Sequence, residues 1–179
     1  MGIYAASALR LVPFLPWLFG PLRNVLDVVG DAMLYLDGKG HLGRENIKMA
    51  TRNRFRNSLL LTIEETPGRP VVVAAHSQGT VIAADVLAEK HWPNVCFVSL
   101  GSPIGSLYRR FLGENSVATP ECPWLNMFRD GDYISGGRGL TSGGSGSPLC
   151  HDVPLGDGRH GGYFENRDVW KQILKWTSS

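Results

Sequence analysis

The run Pro70-Val71-Val72-Val73-Ala74-Ala75-His76-Ser77-Gln78-Gly79-Thr80 decides the fold. Residues 70–75 form a short apolar stretch rich in β-branched side chains, entered from the turn Pro67-Gly68. Such a run predicts a strand buried on both faces, as in a parallel sheet. Thr80 to Lys90 has helical character, which puts Ser77 on a tight strand-to-helix turn. A serine placed there projects its oxygen away from the sheet edge. Small residues two before and two after it, Ala75 and Gly79, let the turn close. The N–H of Gln78 points into the same space at a helix N-terminus, where the dipole favours an anion. A serine in this place is commonly only a helix cap. The valine run and the flanking small residues favour a chemical role over a cap.

Working outward, Val95 to Leu100 reads as a second buried strand and Trp124 to Phe128 as a third. Ser135 to Ser147 is rich in glycine and serine and is expected to be a long mobile loop. Phe164 to Trp176 reads as a closing helix, with Val169, Ile173, Trp176 and Trp170 on its apolar face. Upstream, Pro21 to Leu36 has the spacing of an amphipathic helix opened by proline, and Asp37-Gly38-Lys39-Gly40 ends it. A further helix is expected from Arg44 to Glu65, with Ile47, Phe55, Leu59 and Ile63 inward. Its Lys48, Arg52 and Arg56 form a basic stripe that reads as a solvated face. Strands alternating with helices imply an α/β layer architecture, and 179 residues suit one domain over 1–179.

Composition narrows the function. A formal net charge of +2 gives no reason to expect nucleic acid as a partner. Three cysteines are too few for a disulfide framework and do not fix the compartment. Cys96 reads as a buried small hydrophobe, while Cys122 and Cys150 flank a loop and could pair. The cysteines and histidines lack tight ligand spacing, so no metal is expected. The glycine-rich stretch 136–146 lacks the Lys-Ser/Thr ending of a phosphate loop, and no cofactor is expected. Leu9 to Leu22 is strongly apolar but broken by Pro13, Pro16 and Pro21, against a spanning helix. Segment 1–22 is read as packing on the domain or as a flap or interface. In the second case it would contact a membrane surface or another subunit.

The stretch around Ser77 resembles the nucleophile elbow of the α/β-hydrolase superfamily, with alanine at the place of the usual first glycine. The resemblance spans roughly Asp27 to Trp176. It implies a serine esterase or lipase on a truncated α/β-hydrolase-like parallel sheet, and a chain order of nucleophile, acid, histidine. Asp132 follows the strand 124–128 and is the expected acid, with Asp130 as the alternative. His160, set among glycines before the last helix, is the expected base, with His151 as the competitor. His41 lies upstream of Ser77, against the order; His91 ends a helix; His76 is expected to pack or to make a supporting hydrogen bond. Gln78 would supply one oxyanion N–H. No strand and no His-Gly-Gly loop are found upstream of residue 70. The chain therefore resembles the C-terminal two-thirds of a larger hydrolase, with Gly38 to Gly43 as a weak source of the second N–H. The implied substrate is an ester with an apolar acyl group. A second reading is an inactive module that binds a partner or membrane through its apolar N-terminus. A strand at 70–75 with only 95–100 beside it would leave an open edge, so assembly as a homo-oligomer is expected.

Overall fold

The computed structural model describes residues 30, 35, 47–141 and 147–178. Segment 1–22, the stretch 38–43, His41 and the middle of the glycine-serine loop lie outside the described residues. Of the helix expected over 21–36, only Gly30 and Tyr35 are described, and both are helical.

Four strands form one parallel sheet in the order β1-β2-β3-β4: β1 (Val71–His76), β2 (Val95–Leu100), β3 (Trp124–Phe128) and β4 (Cys150–Pro154). Parallel neighbours need crossovers. Helix α2 (Gln78–Leu87) joins β1 to β2, and a π-helix (Ile104–Arg109) running into the turn Arg110–Leu112 lies between β2 and β3. β2 meets the expectation of a strand buried on both faces, with Val95, Phe97, Val98 and Leu100 all buried. β1 does not: Val72 is 37% exposed. Among the described residues β1 is an edge strand, and its outer side has no neighbour to cover it.

β4 is a strand that the sequence reading left out. Its register pairs Trp124 with Cys150 and Asn126 with Asp152. The polar Asp152 in mid-strand and the terminal Pro154 obscure the apolar signal. Asp152 is held by the Asn126 side chain at 2.8 Å and by the N–H groups of Leu140 and Thr141 at 2.9 and 2.8 Å. These bonds fasten the start of the glycine-serine loop to the sheet. The thiols of Cys122 and Cys150 are buried and free, so the disulfide weighed for them is not made. Burial pushes both up, Cys122 to about 11 and Cys150 to about 12. Cys96 is only partly buried.

The core lies on both faces of the sheet. On one face, Val81, Val86 and Leu87 of α2 pack with Val73, Phe97, Ile104 and Trp124. On the other, Val169 and Ile173 of α3 (Arg167–Thr177) pack with Val98, Leu100 and Met127. Helix α3 starts three residues later than expected, capped by Asn166, whose side chain accepts from the Asp168 N–H at 2.9 Å. Trp170 turns out of the apolar face and donates its indole N–H to the Phe164 carbonyl.

Helix α1 (Ile47–Glu65) packs on α2 through Leu59, Phe55 and Ile63, while Ile47 is exposed. The basic stripe is not a solvated face. Lys48 pairs with Asp85 at 3.2 Å, and Arg52 and Arg56 both bind Glu89 beyond the end of α2. Tyr35 Oη also donates to Asp85, at 2.9 Å. The stripe thus faces acids on the neighbouring helix segment, which spacing within one helix cannot reveal.

Candidate active site

The carboxyl ends of parallel strands are where open α/β sheets bind ligands. Ser77 follows β1, Asp132 follows β3 and His160 follows β4 at that one end. Ser77 has φ 54° and ψ −130°, a backbone state that costs a non-glycine residue about 1–3 kcal/mol. The turn is held because the Ser77 N–H donates to Leu100 O at 3.0 Å, continuing the β1–β2 ladder. The Ser77 carbonyl accepts from Thr80 N–H and from Thr80 Oγ1, at 2.9 and 2.7 Å. A Cβ on Gly79 would sit 3.9 Å from the Ala75 Cβ. That is an ordinary van der Waals contact, so a methyl group at 79 would fit against Ala75.

Ser77 occupies the cap position of α2, yet its side chain makes no capping hydrogen bond. Its Oγ lies 2.8 Å from His160 Nε2 instead. His160 Nδ1 lies 3.0 Å from Asp132 Oδ1 and 3.2 Å from Oδ2. A carboxylate only accepts, so Asp132 selects the tautomer with hydrogen on Nδ1. Nε2 is then left as the acceptor for the Ser77 hydroxyl. The alternatives lie elsewhere. Asp130 is exposed, and His151 is exposed within β4.

Asp132 is fully buried. Burial by itself raises its pKa, but hydrogen bonds from His160, Tyr163 and the Ile134 N–H outweigh it and hold the carboxyl below its ordinary value. Tyr163 Oη donates to Oδ2 at 2.8 Å, and Ile134 N–H donates to Oδ1 at 2.9 Å. The acid is therefore ionised and fixed in orientation at neutral pH. A carboxyl with a lowered folded pKa contributes stability above its unfolded pKa and loses it as pH falls through the folded value. Tyr163→Phe removes one donor to the ionised form. Its stability deficit against wild type is expected to be largest at neutral pH, on the order of 1–2 kcal/mol, and to narrow in acid. Urea denaturation of both proteins at the two pH values measures it; an equal deficit at both would contradict the role given to Tyr163.

Gly101, directly after β2, makes room for this cluster. It has φ 54°, and a Cβ there would lie 2.7 Å from Asp132 Oδ2 and 2.8 Å from Tyr163 Cε2. His76 turns away from Ser77, as expected, and its Nε2–H donates to the His160 carbonyl at 2.8 Å. Gln78 is the first residue of α2, so its N–H has no acceptor within the helix. Its side chain amide meets the Tyr108 hydroxyl of the π-helix at 2.7 Å. The sequence reading did not single out Gly101, Tyr108, Tyr163 or Arg129. Each acts across a gap in the chain of 28 residues or more, or through space alone, which local pattern does not encode. Among the described residues no group of three or more His, Cys, Asp or Glu could hold a metal ion. Among them, too, no helix is long and apolar enough to cross a membrane.

No family model matches the chain, and no curated protein matches its sequence. Solved structures do resemble it. An α/β hydrolase enzyme from a metagenome of lagoon sediments at Mar Chica, Morocco, is 14% identical, covering 71% of this chain and 69% of that one, with a TM-score of 0.47. The esterase domain of a Rhodothermus marinus protein is 20% identical, covering 67% of this chain and 60% of that one, with a TM-score of 0.41. Mouse α/β hydrolase domain-containing protein 10 is 13% identical, covering 75% of this chain and 71% of that one, with a TM-score of 0.44. The chain thus spans between 60% and 71% of the length of these three. With a parallel sheet flanked by helices, a sharp serine turn between β1 and α2, and the order Ser, Asp, His at one end of the strands, the fold of this chain is of the α/β-hydrolase type.

Proposed function

We propose that this protein is a serine hydrolase that cleaves carboxylic esters through an acyl-Ser77 intermediate. One observation carries the reading: the unbroken hydrogen-bonded chain Ser77 Oγ to His160 Nε2 at 2.8 Å and His160 Nδ1 to Asp132 at 3.0 Å. A serine hydroxyl is a weak nucleophile and needs such a base, itself oriented by an acid.

In this reading His160 Nε2 takes the hydroxyl proton as Oγ bonds to the ester carbonyl carbon. Asp132 keeps hold of Nδ1–H and stabilises the imidazolium. The carbonyl oxygen becomes an oxyanion, and the Gln78 N–H at the positive end of α2 stabilises it. Collapse breaks the bond to the alcohol, which leaves with the proton from His160. Water then enters, gives its proton to His160 and attacks the acyl carbon. The second collapse returns that proton to Ser77 Oγ and frees the carboxylic acid, which ionises at neutral pH.

The surroundings favour an apolar substrate. Tyr133 is 42% exposed with its ring 6.2 Å from His160, and Phe164 is 42% exposed with its ring 6.3 Å from His76. Tyr133 offers aromatic surface beside the proposed base, and Phe164 offers it one ring further out, against His76. Thioesters and acyl transfer to an alcohol would engage the same atoms. A series of p-nitrophenyl esters of increasing acyl length tests the proposal. Turnover that grows with the first added methylenes is expected. Absence of turnover for every ester would favour the second reading, a binding module without catalysis.

A further inference from the structure

The loop that carries His160 runs from Leu155 to Asn166 between β4 and α3, and Gly156, Gly158, Gly161 and Gly162 make it intrinsically pliable. Backbone N–H groups reach the carbonyls of Gly156, Tyr163 and Asn166, but among the described residues none reaches those of 159–162, and such groups must find partners elsewhere when shielded from water. Four consecutive carbonyls find them in two side chains. Arg129 Nη1 donates to Arg159 O at 3.1 Å and to Gly161 O at 2.6 Å, Nη2 donates to Gly162 O at 3.0 Å, and His76 Nε2 donates to His160 O at 2.8 Å. Three of the four bonds come from one charged fork, the kind that is strongest and most directional.

We propose that Arg129 and His76 are positioning residues, fixing the backbone of residues 159–162 and through it the distance from His160 Nε2 to Ser77. The inference rests on the ester-hydrolase reading for its effect on rate, while the clamp itself stands on geometry. Arg129 is only 8% exposed, and among the described residues it makes no salt bridge. Burying an unpaired cation is costly, so its placement calls for a compensating partner. The three carbonyls supply one, and the Tyr163 ring face, 4.2 Å from the guanidinium carbon, supplies another.

The backbone is shaped around the fork. A Cβ on Gly158, where φ is 153°, would come within 2.6 Å of Arg129 Cδ. A Cβ on Gly131 would come within 2.9 Å of Gly158 O. The short segment after β3 therefore grips the histidine twice: Arg129 holds its loop and Asp132 holds its ring. His76, at the end of β1 beside the nucleophile, adds the third grip and packs its ring 4.6 Å from that of His160. Burial holds His76 below the ordinary histidine range, which keeps it neutral as the donor and spares His160 a neighbouring cation. Serine and histidine are thereby tied to each other through backbone as well as through the catalytic hydrogen bond.

The test uses wild type, Arg129→Lys, His76→Gln and His76→Phe, read by amide hydrogen exchange and by p-nitrophenyl ester kinetics. Arg129→Lys keeps the charge and loses the fork. It is expected to raise exchange in peptides covering 155–166 while the strand peptides stay protected. It is also expected to lower kcat by about 10–10²-fold, the scale of a small misplacement, with KM nearly unchanged. His76→Gln keeps an N–H donor and is expected to stay closer to wild type in both readouts than His76→Phe. Unchanged loop exchange in Arg129→Lys overturns the clamp. Raised loop exchange with unchanged kcat, or a loss confined to KM, overturns the positioning role. If wild type hydrolyses no ester, the hydrolase reading fails, and hydrogen exchange alone still decides for or against the clamp.

Discussion

Replacing Ser77 by alanine is expected to lower ester turnover by about 10⁴–10⁶-fold and to leave the urea midpoint nearly where it was. The size follows from the mechanism. Without Oγ there is no acyl-enzyme, and only binding and the oxyanion donor remain. The small effect on stability follows from the structure. The side chain caps nothing, and the turn is held by the Ser77 N–H and carbonyl, both of which alanine retains. The strained φ of 54° also survives the change, since alanine and serine share a Cβ. Turnover in Ser77→Ala near the wild-type rate would remove Ser77 from the chemistry. Loss of turnover together with loss of folding would leave the side chain's role to Ser77→Cys, which keeps a nucleophile in place.

The second large effect separates the competing partners. His160→Ala is expected to lower kcat by about 10³-fold or more, and His151→Ala to change it little, because among the described histidines only His160 reaches Ser77 Oγ. His151 is exposed in β4, one position from the strand's start. The same comparison applies to the acids. Asp132→Asn leaves an amide where His160 Nδ1–H needs an acceptor. The amide oxygen can still accept, but it no longer balances an imidazolium, and its NH2 sets a donor against His160 Nδ1–H. A loss on the order of 10²–10⁴-fold is expected, against a small one for exposed Asp130→Asn. Steady-state kinetics on one ester, with folding checked by circular dichroism, ranks the four variants. His151→Ala or Asp130→Asn as the dead member of its pair would move the assignment.

The strands legible from sequence are those with continuous apolar runs. Val71 to Ala75, Val95 to Leu100 and Trp124 to Phe128 announce themselves, and the serine turn follows from the first. β4 was hidden because its middle residue is Asp152, whose partners Asn126, Leu140 and Thr141 are brought to it only by folding. The site divides the same way. Ser77, Asp132 and His160 are suggested by order along the chain, and the structure sets them within hydrogen-bonding distance. Arg129 looked like any polar residue before a turn, and Gly101 like any glycine after a strand. Their parts depend on loops that lie 28 or more residues further along. The basic stripe of α1 fell on the wrong side of the reading for a related reason. Nothing within 47–65 reveals that Asp85 and Glu89 face it.

The central claim is that Ser77 is an activated nucleophile, and covalent labelling reaches it without assuming a substrate. Wild-type protein incubated with a fluorophosphonate and digested for mass spectrometry is expected to carry one phosphonyl group, on the peptide containing Ser77. The reaction should go to completion, and Ser77→Ala and His160→Ala should stay unlabelled under the same conditions. A wild-type protein that remains unmodified at a large excess of reagent, or one modified at another residue with Ser77 untouched, would contradict the account.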